Sequence, residues 1–342
     1  RHRQFPARDQ VQELPVSSET PSRLRRWAPR LVQGLASGLV LVVLSREVEA
    51  QSLSEIVGRV SWGWMSVALV VKAASLLVHE IRLWLSLNPP RPPLRRVAAI
   101  GFAAGALNLV LPARGGDLAC IAMLRRECGV SVGAATASVG VVAFLEAAMF
   151  GLTFLVVLVA GAPRWRGVIG NEAHLQAVSG ITLVTLTGVA IAVVGVIVGR
   201  RFVSPEPEDA GPSPMALVRE TLRQASQNMT APAVLALNTL LALVQVAGMV
   251  GAFALLFPAL GLSVPLPLLA AAGVLAISAV AGVVLPPSFG AGPAAAAVAV
   301  LAVFGIDQSG ALAYAAGWWL ISQVPAALIG LPCLWGRGEQ VP

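Results

Sequence analysis

Apolar residues run along this chain in long blocks, with polar and charged positions gathered between them. A hydrocarbon core of ~30 Å needs about 20 apolar helical residues, and runs of that order occur at 27–46, 61–86, 131–160, 178–199, 232–257 and 309–334. The pattern predicts six full transmembrane helices. Two further apolar segments, 97–127 and 264–305, are interrupted by Pro and Gly. Each is expected as a pair of short helices around a break, since proline removes a helical hydrogen bond and clashes with the preceding turn.

Polar positions set the remaining boundaries. Residues 1–26 are rich in Arg and Pro, lack periodicity and lack the apolar core of a signal peptide, so they are expected as a disordered basic tail. An N-terminal membrane repeat then covers 27–199, with its broken segment at 97–127. Residues 200–231 form a linker whose stretch "MALVRETLRQASQ" has the pattern of an interfacial amphipathic helix. A C-terminal membrane repeat covers 232–335, with its broken segment at 264–305, and 336–342 is a short tail.

Composition agrees with a polytopic membrane protein. Hydrophobic residues make up 56% and charged residues 12% of the 342 positions, against ~25% charged in ordinary soluble domains. The mean hydropathy is +0.78. The net charge of +7 is carried by arginine, since Lys72 is the one lysine, and the arginines cluster near the ends of apolar runs. That placement suits topology and lipid headgroups rather than nucleic acid. The three cysteines, Cys120, Cys128 and Cys333, have no metal-ligand spacing, and no metal or cofactor is expected.

Arginine placement orients the chain. Arg23, Arg25, Arg26 and Arg30 put the N-terminal tail in the cytoplasm, and "NPPRPPLRR" after the second span is again basic and inside. Arg125 and Arg126 follow the first broken segment and belong on the same side. Only 28 residues separate Arg96 from Arg125, too few for two crossings at ~20 residues each. The segment is therefore expected to enter and return as a re-entrant pair meeting near Pro112. Continuing outward and back leaves Arg337 and the C-terminus inside as well. Trp27, Trp62, Trp64, Trp84, Trp165 and Trp335 fall near proposed span ends, as an aromatic belt requires.

The broken segments resemble each other. "VLPARGG" at 110–116 and "VLPPSFGAG" at 284–292 each leave an apolar helix, break at proline and pass through glycines into a second short helix. Each then reaches a glycine-led turn, 17 residues beyond Pro112 and 19 beyond Pro286. By the charge-based topology the first enters from the cytoplasm and the second from outside. The expected fold is thus all-α, with about six full transmembrane helices plus two re-entrant helix pairs in an inverted repeat, an arrangement suited to alternating access.

Chemistry concentrates at the first break. The half-helix starting at Gly115 aims its N-terminal N–H groups at the break, a dipole end that suits phosphate, and Arg114 adds a bidentate donor beside Gly115 and Gly116. Asn108, Pro112 and Asp117 complete this candidate headgroup site. The alternative is that Arg114 reaches the interface while Asp117 caps the short helix. Glu146 is the one charged residue between Glu127 and Arg164, at the centre of a span where carboxylates are costly. It fits a cationic headgroup or proton exchange, or else a static pair with Lys72 or an arginine. Lys72, inside the second span, is its expected partner or a second phosphate ligand. His79 and Glu80, near the inner end of that span, read as interfacial. The second turn offers Pro286, Ser288, Gly290 and Gly292 as its counterpart. No catalytic set or nucleotide loop is apparent, so the chain is expected not to be an enzyme, and any transport would run downhill or on an ion gradient.

The run carried by Asn108, Leu111, Pro112, Arg114, Gly116 and Asp117, followed by "LRRECGVSVGAATASVGVVAFLE", resembles the transmembrane region of the lysylphosphatidylglycerol synthases and their stand-alone relatives, as do "RLW" at 82–84 and "LPPSFGAG". The resemblance extends over roughly residues 30–335. It implies about six spans plus broken helices and movement of aminoacylated phosphatidylglycerol or of polyprenyl-linked sugars across a bacterial cytoplasmic membrane. The chain differs from that pattern at Ala147, Ala148, Pro293, Ala294 and Gln323, where charged residues are usual. Membrane lipids are the expected partners. The expected function is a translocase for a phosphate-bearing lipid; the alternative is a non-transporting membrane partner of a glycosyltransferase or lipid-synthesis enzyme.

Overall fold

The computed structural model describes residues 55, 58–110, 115–202, 214–284 and 290–335, and the elements it contains are all helices. The expected first span at 27–46 and both tails lie outside the described residues, as do Leu111–Arg114 and residues 285–289 at the two breaks. Four of the described helices are long and apolar enough to cross a membrane: Trp62–Ser86, Val132–Ala160, Pro232–Ala259 and Gln308–Leu334. The 178–199 run falls within a continuous 32-residue helix.

The first of these, α1 (Trp62–Ser86), stops where "NPPRPP" follows, because proline can neither donate to the preceding turn nor let its neighbour stay helical. Helices α2 (Leu94–Val110) and α3 (Gly115–Cys128) then fold back on each other across the break. Asn108 meets Gly116 at one end of this hairpin, and Arg96 meets the Glu127 carbonyl at the other. At 17 and 14 residues, the arms reach about 25 and 21 Å, short of a full crossing. Gly129 takes a left-handed φ of 67° to end α3, and the Ser131 hydroxyl accepts from Ala134 N–H at 3.1 Å to start α4 (Val132–Ala160).

Between the halves lie α5 (Ala162–Ile169), α6 (Asn171–Phe202) and α7 (Pro214–Thr230). The stretch around "PRWRG", which joins the expected spans 131–160 and 178–199, is helical, with Pro163 in the first turn of α5 and Gly170 at φ 82° terminating it. Trp165 is buried there, whereas Trp62 and Trp64 are exposed. Helix α6 presents Leu183, Val184, Leu186 and Ile191 outward, an apolar face suited to lipid. The amphipathic α7 packs on α4 and α6, and Gly133 leaves room for its Glu220 side chain.

The second half repeats the first. Helix α8 (Pro232–Ala254) continues through the single turn α9 (Leu256–Ala259), after which α10 (Pro267–Val284) and α11 (Ala291–Val303) form a second hairpin. Gly292 sits against Ala281 and Gly273 against Val300, so these arms are also antiparallel. Gly305 ends the hairpin at φ 80°. Asp307 then accepts from Gly310 N–H at 3.3 Å, at the start of α12 (Gln308–Trp335). The Gly129–Ser131 and Gly305–Asp307 turns are the same device used twice.

Packing follows the same exchange. Helices α1 and α8 lie antiparallel on each other, from Ser61 N–H on the Ala259 carbonyl to Arg82 on Asn238. The first hairpin packs on α12 through α2, and the second packs on α4 through α10. The first hairpin follows the C-terminal end of α1 and the second that of α8, so the two open from opposite ends of the bundle. A large apolar core joins α8, α10, α11 and α12 around Phe253, Phe257 and Tyr314, and a smaller one joins α1 to α4 around Leu83, Ile100, Leu124 and Val142.

Candidate polar cavity

A cavity of about 220 Å³ lies between α1, the first hairpin, α4 and α8. Four of the side chains singled out in the sequence, Lys72, Asn108, Asp117 and Glu146, line it together. They come from four helices, and what assembles them is the return of α3 along α2. Gly116 makes that return close enough: a Cβ there would collide with the Ala104 carbonyl and the Asn108 amide. Gly115 stands half-buried at the start of α3.

Asn108 closes the tip of the hairpin. Its Oδ1 accepts the Gly116 N–H at 2.7 Å, and its Nδ2 donates to Asp117 Oδ1 at 3.4 Å. One of the N–H groups expected to face a phosphate is therefore already satisfied by a side chain from α2. Asp117 sits in the first turn of α3, where the helix dipole favours a carboxylate. Pro112 and Arg114 lie outside the described residues.

Glu146 is bound by neutral and titratable partners rather than by a salt bridge to Lys72. Gln245 Nε2 donates to its Oε1 at 3.1 Å, and His79 Nδ1 stands 3.8 Å from its Oε2. Lys72 is buried to 6% exposure. Its ammonium lies 5.6 Å from the centroid of the Phe253 ring, a cation–π contact. No hydrogen bond or ion pair within bonding distance reaches it among the described residues.

His79 and Glu80, expected as interfacial, belong to the same cavity. Both line the cavity, and Glu80 is buried to 4% exposure. Gly101 on α2 makes room for the Glu80 side chain: a Cβ there would collide with the Glu80 carboxyl. Ser75 and Gln245 also line the cavity. Neutral polar residues inside apolar runs give only a faint signal in sequence, and their spacing says nothing of which cavity they face.

Behind the cavity, Arg82 is fully buried and ties three helices together. Its Nε donates to Asn238 Oδ1 at 2.9 Å, its NH1 to Gln245 Oε1 at 2.6 Å and its NH2 to the Val142 carbonyl at 3.1 Å. Ser86 and Ser138 extend the network: Asn238 Nδ2 donates to Ser86 Oγ at 2.7 Å, and Ser138 Oγ donates to the Ser86 carbonyl at 2.8 Å. Gln245 is thus fixed from one side by arginine and holds Glu146 from the other.

At the second break, Gly290 and Gly292 are the described members of the expected counterpart. Gly290 caps α11 at φ 71° beside Trp319, and Gly292 packs on Ala281; neither lines the cavity. Pro286 and Ser288 lie outside the described residues. The α10–α11 hairpin offers no charged side chain, so the polar chemistry of the described site belongs to the first hairpin with α1, α4 and α8.

The family model described as the lysylphosphatidylglycerol synthase TM region matches residues 30–330 of the chain. No curated protein matches it.

Proposed function

The chain belongs to the lysylphosphatidylglycerol synthase TM region family, and from that membership we propose a multi-pass membrane lipid translocase, a flippase or scramblase acting on a phosphate-bearing lipid. Aminoacylated phosphatidylglycerol and polyprenyl-phosphate-linked lipids are the two substrate classes of this proposal. The observation that carries the reading is the gathering of Lys72, Asn108, Asp117 and Glu146 around one cavity inside an otherwise apolar bundle. Ionisable groups at membrane depth are expensive and mark substrate or ion paths.

In this reading the two hairpins are re-entrant, entering from opposite faces of a bacterial inner membrane, with both termini in the cytoplasm. Lys72 supplies a cation for the lipid phosphate, and Arg114 at the tip supplies a second. The cavity also holds the carboxyl groups of Glu80, Asp117 and Glu146, which suit a substrate whose headgroup carries both signs. The reaction is movement without bond chemistry, and the chain acts as a transporter rather than as an enzyme.

Reconstitution into liposomes containing a fluorescent phosphatidylglycerol tests this directly, with dithionite bleaching of the outer leaflet as the readout. Wild type is expected to expose inner-leaflet lipid to bleaching, and Lys72→Gln and Glu146→Gln to slow that exposure at least tenfold. Lipid that stays protected in wild-type vesicles would remove the translocase reading in favour of a non-transporting partner of a lipid-synthesis enzyme or glycosyltransferase. Equal rates in all three proteins would separate movement from this cavity.

A further inference from the structure

Glu80 stands apart from the other carboxyl groups of the cavity. Glu146 has Gln245 at one oxygen and His79 facing the other, and Asp117 accepts from Asn108. Glu80 Oε2 is buried without any hydrogen-bond partner, and no ion pair reaches this side chain among the described residues. The cations near it are engaged elsewhere. Arg82, on the same helix, gives its guanidinium to Asn238, Gln245 and Val142. Lys72 lies over Phe253, about 12 Å away along the helix axis, and His79 faces Glu146. From the packed neighbours, α3 brings Asp117 and Cys120 to the cavity and α4 brings Glu146, while α2 and α8 bring no ionisable side chain.

The space around Glu80 is also shaped for it. Gly101 yields the volume its carboxyl occupies, and any larger residue would displace it. A carboxylate held bare in such a place pays a heavy desolvation cost, which a bound proton removes. Chains of Asp, Glu and His side chains inside a membrane mark proton relays, and the His79–Glu146 couple lines the same cavity.

We propose that Glu80 is a proton-binding site, loaded in the arrangement seen here and emptied when the cavity opens to water, so that lipid movement is coupled to a proton gradient. Loading places a proton on a Glu80 carboxylate oxygen; unloading returns it to water on the other side and leaves the carboxylate. The coupling half of this inference rests on the translocase reading, whereas the proton site does not.

Two measurements on the full chain in phosphatidylglycerol-containing vesicles decide it. Infrared spectroscopy near neutral pH is expected to show the C=O stretch of a protonated buried carboxyl group, lost in Glu80→Gln, shifted in Glu80→Asp and retained in Glu146→Gln. A one-unit pH gradient is then expected to bias a tracer phosphatidylglycerol between leaflets by up to about tenfold at one proton per lipid, with the bias lost in Glu80→Gln. Absence of the band in wild type overturns the proton site, whether or not lipid moves. Lipid movement indifferent to the gradient overturns the coupling and leaves the translocase reading intact. If no lipid moves in wild type, that reading falls and takes the coupling with it, and the band alone then decides whether Glu80 binds a proton.

Discussion

Arg82 holds three helices together through oxygens that carry no formal charge. Without it, Asn238, Gln245 and the Val142 carbonyl lose buried donors, each orphan costing about 1–3 kcal/mol. Arg82→Met is therefore expected to lower stability by roughly 2–5 kcal/mol, read as a fall in the unfolding midpoint by tryptophan fluorescence in detergent. An unchanged midpoint would show that the network is not structural. Gly101→Ala acts on the other side of the cavity, where the new methyl would push the Glu80 carboxyl aside. Such overpacking costs about 1–3 kcal/mol, and it is expected to shift the infrared signature of Glu80 as well. Lys72, Asp117 and Glu146 were legible in sequence because a Lys, Asp or Glu inside an apolar run has no cheap structural excuse, whereas Glu80, near a span end, read as interfacial. Arg82 and Gln245 were not legible, because their roles depend on a contact across 163 residues of chain.

At the scale of elements, the breaks were readable and some of the pieces around them were not. Proline marked both hairpins, since an interrupted helix is forced by chemistry local to the break. The helical α5 was missed because a short stretch with two arginines between apolar runs reads as a loop, although Pro163 and Gly170 are a start and stop pair. What sequence could not show is how closely the hairpins press on their neighbours. Gly330 on α12 lies against the Phe102 carbonyl of α2, and Gly273 on α10 lies against Val300 and Val157. Close contact through small residues is how helices associate where lipid offers no hydrophobic drive. Gly330→Val meets backbone and cannot be relieved by a rotamer change, whereas Gly273→Val meets side chains that can yield. Both are expected to lower the detergent unfolding midpoint, with Gly330→Val the more severe by about 1–2 kcal/mol. The reverse order would mean that the α2–α12 seam is looser than its geometry.

For the whole molecule, the decisive relation is the antiparallel seating of α1 on α8. Each hairpin follows the C-terminal end of its helix, so hairpins that follow antiparallel helices must open from opposite ends. The chain satisfies this twice over, because the first hairpin packs on α12 and the second on α4, an exchange that returns the same packing. Arginine counts bear on one hairpin alone, through Arg95, Arg96, Arg125 and Arg126 at the base of the first, which the positive-inside rule assigns to the cytoplasmic side. The second hairpin carries no charge to count, and there the antiparallel seating supplies what charge cannot. Single cysteines at Ala113 and Ser288, in a background without Cys120, Cys128 and Cys333, put the inference at risk with a membrane-impermeant thiol reagent. Ala113→Cys is expected to react from the cytoplasmic side and Ser288→Cys from outside. Labelling of both from one side would mean that only one hairpin is re-entrant, and would leave the repeat as a likeness of shape without the inversion that alternating access needs.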